Sequence, residues 1–257
     1  MPIEFSVEDG IATIVFNLPD RLNAFDPAHY VALSKALIIV REDPSIRVAL
    51  VTGAGERSFS VGTDNQSPKP PLEYVEAQTS AHNDGSSAFG ATVWKPIVAA
   101  VNGYCLGDGM CLLLATDIRI AAEHATFGLP DISRTKFATR TVIKDLLQQL
   151  PYAIAMELLL FNEPIDALTA SKWGLVNKVV PHADLLSTAY TYARRLSAGA
   201  PSVMRAAEEV ALHGRDFHFG RELRFEETVR ALLHGALDRN EGSDTAEASR
   251  LQLSTAT

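Results

Sequence analysis

The segment from Lys95 to Ile132 contains the residues of this chain with the clearest capacity for chemistry. An apolar run that ends at Val101 is followed by the turn Asn102-Gly103, and Gly107-Asp108-Gly109 then leads into a second apolar stretch. Glycine-flanked backbone that enters a helix leaves N–H groups unpaired and directed outward. Such groups can bind an oxygen atom that gains negative charge during a reaction. The segment therefore predicts an anion-stabilising turn at the start of a helix.

Apolar runs and turn residues predict the elements that position this turn. Two strands, 3–7 and 12–16, flank Asp9-Gly10 and should form a hairpin. Asp26-Pro27 starts a helix that runs to about residue 40, with Asp26 as its N-cap. Further buried strands are expected at 48–52, 97–101 and 118–121. Strands that alternate with helices predict an α/β fold with a mainly parallel sheet under helical cover.

The second half of the chain is predicted to be mainly helical. An apolar run covers 153–161, Asp166 caps a helix that ends at Trp173-Gly174, and 175–180 forms a short strand. Helices follow at about 183–198, 202–213 and 217–237. The last of these has more apolar surface than a lone surface helix usually shows, which favours an oligomer interface.

One proline-rich segment, 66–90, interrupts the strand and helix pattern of the first half. It is interpreted either as a flap over the site that the sheet supports or as a plain surface excursion.

The overall composition excludes several classes of protein. The 257 residues are 47% hydrophobic and 21% charged, which is ordinary for a globular chain. A net charge of −8 without a Lys/Arg-rich run argues against a nucleic-acid partner. No leader pattern and no membrane-length apolar run are present, so we expect a cytoplasmic protein without a membrane partner. The two cysteines indicate no disulfide framework, and no His/Cys/Asp cluster has the spacing of a metal site.

A series of motifs along nearly the whole chain resembles the crotonase superfamily, the enoyl-CoA hydratase/isomerase family. The motifs are Asn17-Leu18-Pro19 with Asn23-Ala24, Ser58 to Asp64, Lys95-Pro96 with Asn102-Gly103, Gly107-x-Gly109, Phe127 to Asp131, Ala155 to Leu158, and Trp173 to Val176. One such motif alone would be weak, but their number and order are specific.

The resemblance implies a spiral of ββα units and an acyl-CoA thioester as the substrate. An acyl-CoA-binding core over 1–200 would be followed by a helical trimerisation region over 201–257, so we expect a homotrimer or hexamer. Coenzyme A would enter as part of the substrate, with no permanently bound cofactor and no metal.

The resemblance also implies roles for individual residues. The backbone amides of Thr63 and Asp108 would bind the thioester oxygen. The residues expected to bind the coenzyme are Ala24, Gly62, Asp64, Asn65 and Gly107, with Asp64 and Asn65 beside the adenine. The family often has a basic residue directly before Asn-Ala, but here that residue is Leu22. A phosphate contact from Arg21, one position earlier, is therefore left open.

The chain departs from the family where a hydratase holds water between two carboxylates. The first of these positions is Cys111, and the second is Asp131. A neutral thiol cannot replace a carboxylate base, so Cys111 either packs as a small apolar residue or acts as a nucleophile or acid. Asp131 either serves as a single acid/base or is held in an ion pair.

Three cations, Arg134, Lys136 and Arg140, follow in a stretch where the family is often rich in glycine. They either pair with Asp131 or remain solvated, or they bind an anionic acyl tail such as a second carboxylate.

These departures favour isomerisation, or another reaction with at most one acid/base, over syn-hydration of short enoyl-CoA thioesters. The alternative is a non-catalytic acyl-CoA-binding protein of the same fold.

Overall fold

The computed structural model describes residues 2–64, 93–130, 140–201, 203–204 and 207–208. Four residues with predicted roles lie outside this part of the chain: Asn65, Asp131, Arg134 and Lys136. The segment 66–90, the helix expected at 217–237 and most of the region 201–257 also lie outside it, so those predictions stay predictions.

Ten β-strands and six α-helices have defined bounds within the described ranges. The strands are β1 (Ile3–Glu8), β2 (Ile11–Phe16), β3 (Val48–Gly53), β4 (Ser58–Ser60), β5 (Ile97–Val101), β6 (Tyr104–Leu106), β7 (Ile118–Ala122), β8 (Thr126–Gly128), β9 (Ile165–Asp166) and β10 (Lys178–Val180). The helices are α1 (Pro27–Glu42), α2 (Asp108–Leu114), α3 (Arg140–Gln149), α4 (Tyr152–Leu160), α5 (Ala167–Lys172) and α6 (Leu185–Ser197).

The larger sheet has six strands in the order β1-β2-β3-β5-β7-β10. Only the β1–β2 hairpin is antiparallel, and the other four pairings are parallel. The predicted hairpin and the predicted parallel strands at 48–52, 97–101 and 118–121 are therefore confirmed. The strand predicted over 175–180 is shorter than expected, because only 178–180 pair with β7.

A second sheet of four short strands has the order β4-β6-β8-β9. No sequence pattern predicts these strands. Each has only two or three residues, too few for an alternating pattern to be recognised. Since β6 leads directly into the turn before α2, this second sheet positions the glycine-rich turn.

Apolar side chains cover both faces of the larger sheet. On one face, Leu185, Ala189 and Ala193 of α6 pack against alternating strand residues such as Leu50 and Val98. The other face contributes to a larger core that includes side chains of α1 and α2 and of the second sheet. Near-continuous burial of β3 and β5 agrees with parallel strands covered on both sides.

The helix caps follow the predicted chemistry. The Asp26 carboxylate accepts a hydrogen bond from the His29 backbone N–H at 2.9 Å, and Asp166 accepts one from Thr169 at 2.7 Å. Both N-cap predictions are therefore confirmed. None of the helices in the described ranges combines the length and apolarity that a bilayer crossing requires.

Candidate active site

The turn at Gly62 and the turn at Gly107 lie directly against each other. Gly62 has φ +85°, and a Cβ on it would come 2.7 Å from the Asp108 nitrogen and 3.0 Å from the Leu106 oxygen. A Cβ on Gly109 would come 2.5 Å from the Ser60 oxygen. The two glycines therefore allow a backbone contact that any side chain would prevent.

The N–H groups of Thr63 and Asp108 are free of hydrogen bonds within the described residues. Phe25 N–H donates to Gly62 O at 2.8 Å, and Asp64 N–H donates to Phe25 O at 2.9 Å. This pairing uses the groups on either side of Thr63, so the Thr63 N–H is directed away from Phe25. Asp108 is the first residue of α2, where a backbone N–H has no partner inside its helix. Two donors thus belong to backbones in direct contact.

The Asp108 carboxylate is the centre of a side-chain cluster. The hydroxyls of Tyr30 and Thr63 both donate hydrogen bonds to its Oδ2. The same two hydroxyl oxygens lie 2.9 Å apart. The Cys111 Sγ lies 3.7 Å from the other carboxylate oxygen, Oδ1, and is a weak hydrogen-bond donor. The side chain of Asp108 therefore lies beside its own N–H and that of Thr63.

Tyr30 is the residue of this cluster that the sequence analysis missed. It lies 33 residues from Thr63 and 78 from Asp108, and no motif includes it. Its ring is buried and meets the ring of Phe25 edge-on, with the centroids 5.5 Å apart. The only sequence signal was its place in the first turn of a helix with a strong N-cap.

The start of α1, which holds Tyr30, is fixed by Asp26 and His29. The Asp26 carboxylate lies 2.8 Å from His29 Nδ1 in addition to its bond with the His29 backbone N–H. Burial raises the pKa of Asp26, but the hydrogen bonds and charge of His29 outweigh it and leave the pKa lowered. The cap therefore stays ionised at neutral pH and anchors the helix that holds Tyr30.

Asn23 and Ala24 belong to the first of the family-like motifs. They connect the start of α1 to the turn at Gly62. The buried Asn23 side chain donates to Ala54 O at 3.0 Å and to Ser58 O at 2.7 Å, and it accepts from Leu18 N. Asn23 is thus a structural residue. Ala24 is buried, and the next residue, Phe25, forms an isolated parallel β-bridge with Thr63.

Asp64 forms an ion pair with Arg21. Its side chain is 5% exposed, whereas that of Arg21 is 42% exposed. The partner of Asp64, which was expected beside the adenine, is therefore Arg21, whose contact with a phosphate the sequence left open.

Both cysteines are buried and unbridged. Burial raises the pKa of the Cys105 thiol, and the positive charge of Arg119 opposes the change only in part. Cys111 packs among apolar residues of the larger core. Its sulfur nevertheless faces Asp108.

The described part of the site thus brings together Gly62, Thr63, Gly107, Asp108 and Cys111. Asp64 follows Thr63 directly. Arg140 is the first residue of α3. Within the described residues, no group of His, Cys, Asp or Glu side chains has the arrangement of a metal site.

The chain is similar to known proteins along most of its length. Residues 6–249 match the profile of the enoyl-CoA hydratase/isomerase family. The chain is 36% identical to an (E)-benzylidenesuccinyl-CoA hydratase of Thauera aromatica over 243 residues, which are 94% of each chain. It is 33% identical to a carnitinyl-CoA dehydratase of Salmonella arizonae over 84% of this chain and 80% of that one. The crystal structure of a carnitinyl-CoA hydratase from Mycobacterium avium superposes with a TM-score of 0.74 at 32% identity, covering 90% of this chain and 88% of that one.

Proposed function

Because the chain belongs to the enoyl-CoA hydratase/isomerase family, we propose that it adds or removes water across the α,β-bond of an acyl-CoA thioester. The observation that carries this proposal is the pair of N–H donors at Thr63 and Asp108, which have no hydrogen-bond partner among the described residues. In such a reaction the thioester oxygen gains negative charge as an enolate forms. Each donor directed at that oxygen can contribute about 2.7–4 kcal/mol to the transition state.

Water addition or elimination is the reaction that the relatives favour. The two curated relatives carry the names of a hydratase and a dehydratase, which run one reaction in opposite directions. Isomerisation, which the sequence favours because residue 111 is a cysteine, is the second candidate. Both reactions pass through an enolate and need the same pair of N–H donors.

For the acyl group, we propose a dicarboxylic acid that is linked to coenzyme A through one of its carboxyls. The benzylidenesuccinyl group in the name of one relative is of this kind and keeps a free carboxylate. The three cations Arg134, Lys136 and Arg140 provide the opposite charge in the same chain. A carboxylate of the substrate would form charge-assisted hydrogen bonds with such groups.

A substrate panel tests the proposal. The purified protein is incubated with crotonyl-CoA, carnitinyl-CoA and (E)-benzylidenesuccinyl-CoA, and hydration or dehydration is followed by mass spectrometry. We expect the highest kcat/KM with the dicarboxylic thioester and slow reaction with crotonyl-CoA. Calorimetric binding of all three without turnover of any would overturn the proposal and favour the non-catalytic binding protein.

We also propose assembly into a trimer or hexamer. Several large apolar side chains on or next to α4 and α5 are more than half exposed in the single chain: Tyr152, Leu160, Phe161 and Leu168. Such a group favours an interface between copies. Light scattering of the purified protein should give three or six times 27.8 kDa, and a monomer in dilute solution would contradict the assembly.

A further inference from the structure

The Asp108 side chain occupies the space next to the position where the family pattern has a carboxylate and this chain has Cys111. Asp108 precedes Cys111 by three residues on α2, so the two side chains lie on one helix face. The Asp108 Oδ1 is 3.7 Å from the Cys111 Sγ. A glutamate at 111 would place its oxygens about 2.4 Å beyond its Cγ, from standard bond lengths. Both side chains would therefore deliver a carboxylate to neighbouring positions.

We propose that the Asp108 carboxylate is the acid/base of the reaction and replaces the carboxylate that is absent at residue 111. This assignment rests on the proposed function and extends it to a named proton carrier. It gives one residue two tasks. The Asp108 N–H binds the thioester oxygen, and the Asp108 side chain moves the proton.

The two carboxylate oxygens have different surroundings, as an acid/base requires. Oδ2 accepts hydrogen bonds from Tyr30 and Thr63, which fix the orientation of the carboxylate. Among the described residues, Oδ1 has only the weak thiol donor of Cys111. Asp108 is half-buried rather than fully buried, so part of the residue remains exposed to solvent. Tyr30 and the Thr63 hydroxyl are positioning groups, and Oδ1 is the reacting atom.

This one carboxylate is sufficient for the proton transfers of hydration. The water oxygen bonds to Cβ, one water proton moves to Asp108 Oδ1, and the π electrons move onto the thioester oxygen. The same proton then passes from Oδ1 to Cα while the enolate returns to a thioester. The product gains one H and one OH, and nothing is oxidised or reduced.

The charge balance also favours this arrangement. The negative charge leaves Asp108 as the thioester oxygen gains it. The site therefore never holds two negative charges side by side, which would repel strongly in a partly buried pocket. A carboxylate so close to the two N–H donors would oppose enolate formation if it kept its charge throughout.

Asp108→Asn tests the assignment, because asparagine keeps the backbone N–H and the shape but cannot carry the proton. We expect kcat to fall by about 10²–10⁴-fold, with acyl-CoA affinity within about threefold of wild type by calorimetry. Asp184→Asn is the matched control, since Asp184 is exposed and its side chain caps no helix. A kcat within tenfold of wild type in Asp108→Asn would overturn the assignment.

Tyr30→Phe keeps the assignment testable if Asp108→Asn fails to fold. We expect kcat to fall about tenfold while KM stays within about threefold, because the carboxylate loses a donor that orients it. Tyr192→Phe, on a half-buried tyrosine of α6 that packs on the opposite face of the larger sheet, is the matched control. Thr63→Val should lose more kcat than Thr63→Ser, which retains the hydroxyl. Equal kcat in Tyr30→Phe and its control would overturn the positioning role and, with it, the assignment.

The two proposals fail in different ways. If the wild type and the Asp108→Asn variant are both active, only the acid/base assignment is overturned. Wild type that turns over no acyl-CoA overturns the proposed function and the assignment together.

Discussion

A Cβ added to Gly62 would lie 2.7 Å from the backbone nitrogen of Asp108. The two N–H donors of the proposed oxyanion site are thus held together by contact between main chains. Because backbone donors tolerate changes of side chain, this contact explains how the site can contain a threonine and an aspartate at residues 63 and 108.

Gly62→Ala should separate these donors and lower turnover. The added Cβ would collide with the Asp108 nitrogen, and the substitution also places a side chain on backbone with φ +85°. The positive φ alone costs about 1–2 kcal/mol. Gly174→Ala is a close control, because Gly174 has φ +81° but a Cβ added there would meet nothing within 4 Å.

The two glycine variants are compared by their kcat and by the absorption shift of a bound arylacryloyl-CoA, which reports polarisation of the thioester carbonyl. We expect both variants to lose stability, but only Gly62→Ala to lose the shift and the activity. An unchanged shift in Gly62→Ala would contradict the backbone origin of the site.

Arg21→Ala should destabilise the protein more than it weakens acyl-CoA binding, since Arg21 is paired with the buried Asp64. With Arg21 itself 42% exposed, we expect a loss of about 1–2 kcal/mol, between an exposed and a buried pair. Arg41→Ala, which removes a surface pair with Glu42, is the control. Urea unfolding and calorimetry measure the two effects. A tenfold loss of affinity with unchanged stability would instead make Arg21 a phosphate ligand.

The sequence was sufficient for the larger sheet but not for the side chains around Asp108. Short apolar runs rich in β-branched residues, such as 48–52 and 97–101, are typical of strands covered on both faces, so the parallel sheet was predictable. Tyr30 reaches Asp108 only because α1 packs beside the two turns, and no local pattern encodes a contact across 78 residues. The pairing of Arg21 with Asp64 was hidden for the same reason. Between Arg21 and the rest of the motif the backbone is left-handed at Leu22 and Asn23, a conformation that leucine rarely adopts.

Cys105→Ala should reduce the loss of folding stability that occurs as the pH becomes alkaline. Burial raises the pKa of Cys105 in the folded state, whereas an exposed thiol ionises near pH 8.5. Above that pH the unfolded state binds fewer protons than the folded state. Stability therefore falls as pH rises, by about 1.4 kcal/mol per pH unit for this group.

Urea unfolding of wild type and Cys105→Ala between pH 8 and 10.5 measures this difference. We expect the difference in free energy of unfolding between the two proteins to be constant up to about pH 8.5. At higher pH it should change in favour of the variant. If the free energies of unfolding of the two proteins change in parallel over the whole pH range, the thiol ionises equally in the folded and unfolded states.

Arg134→Ala and Arg140→Ala should distinguish the two interpretations of the cation cluster. If the cluster binds an anionic acyl tail, each change should weaken a dicarboxylic acyl-CoA by about 1.5–3 kcal/mol and spare crotonyl-CoA. Calorimetry with both ligands gives the comparison. Equal losses would assign the arginines to the coenzyme phosphates or to the fold.

The most direct test of the account is to run the reaction in D2O with (E)-benzylidenesuccinyl-CoA and to locate the deuterium by NMR. Water addition through an enolate predicts a hydroxylated product with one deuterium on Cα, and the Gly62→Ala variant should form it far more slowly than wild type. A bound thioester that is recovered without added water and without deuterium on carbon would contradict both the reaction and the role of the Thr63 and Asp108 N–H groups.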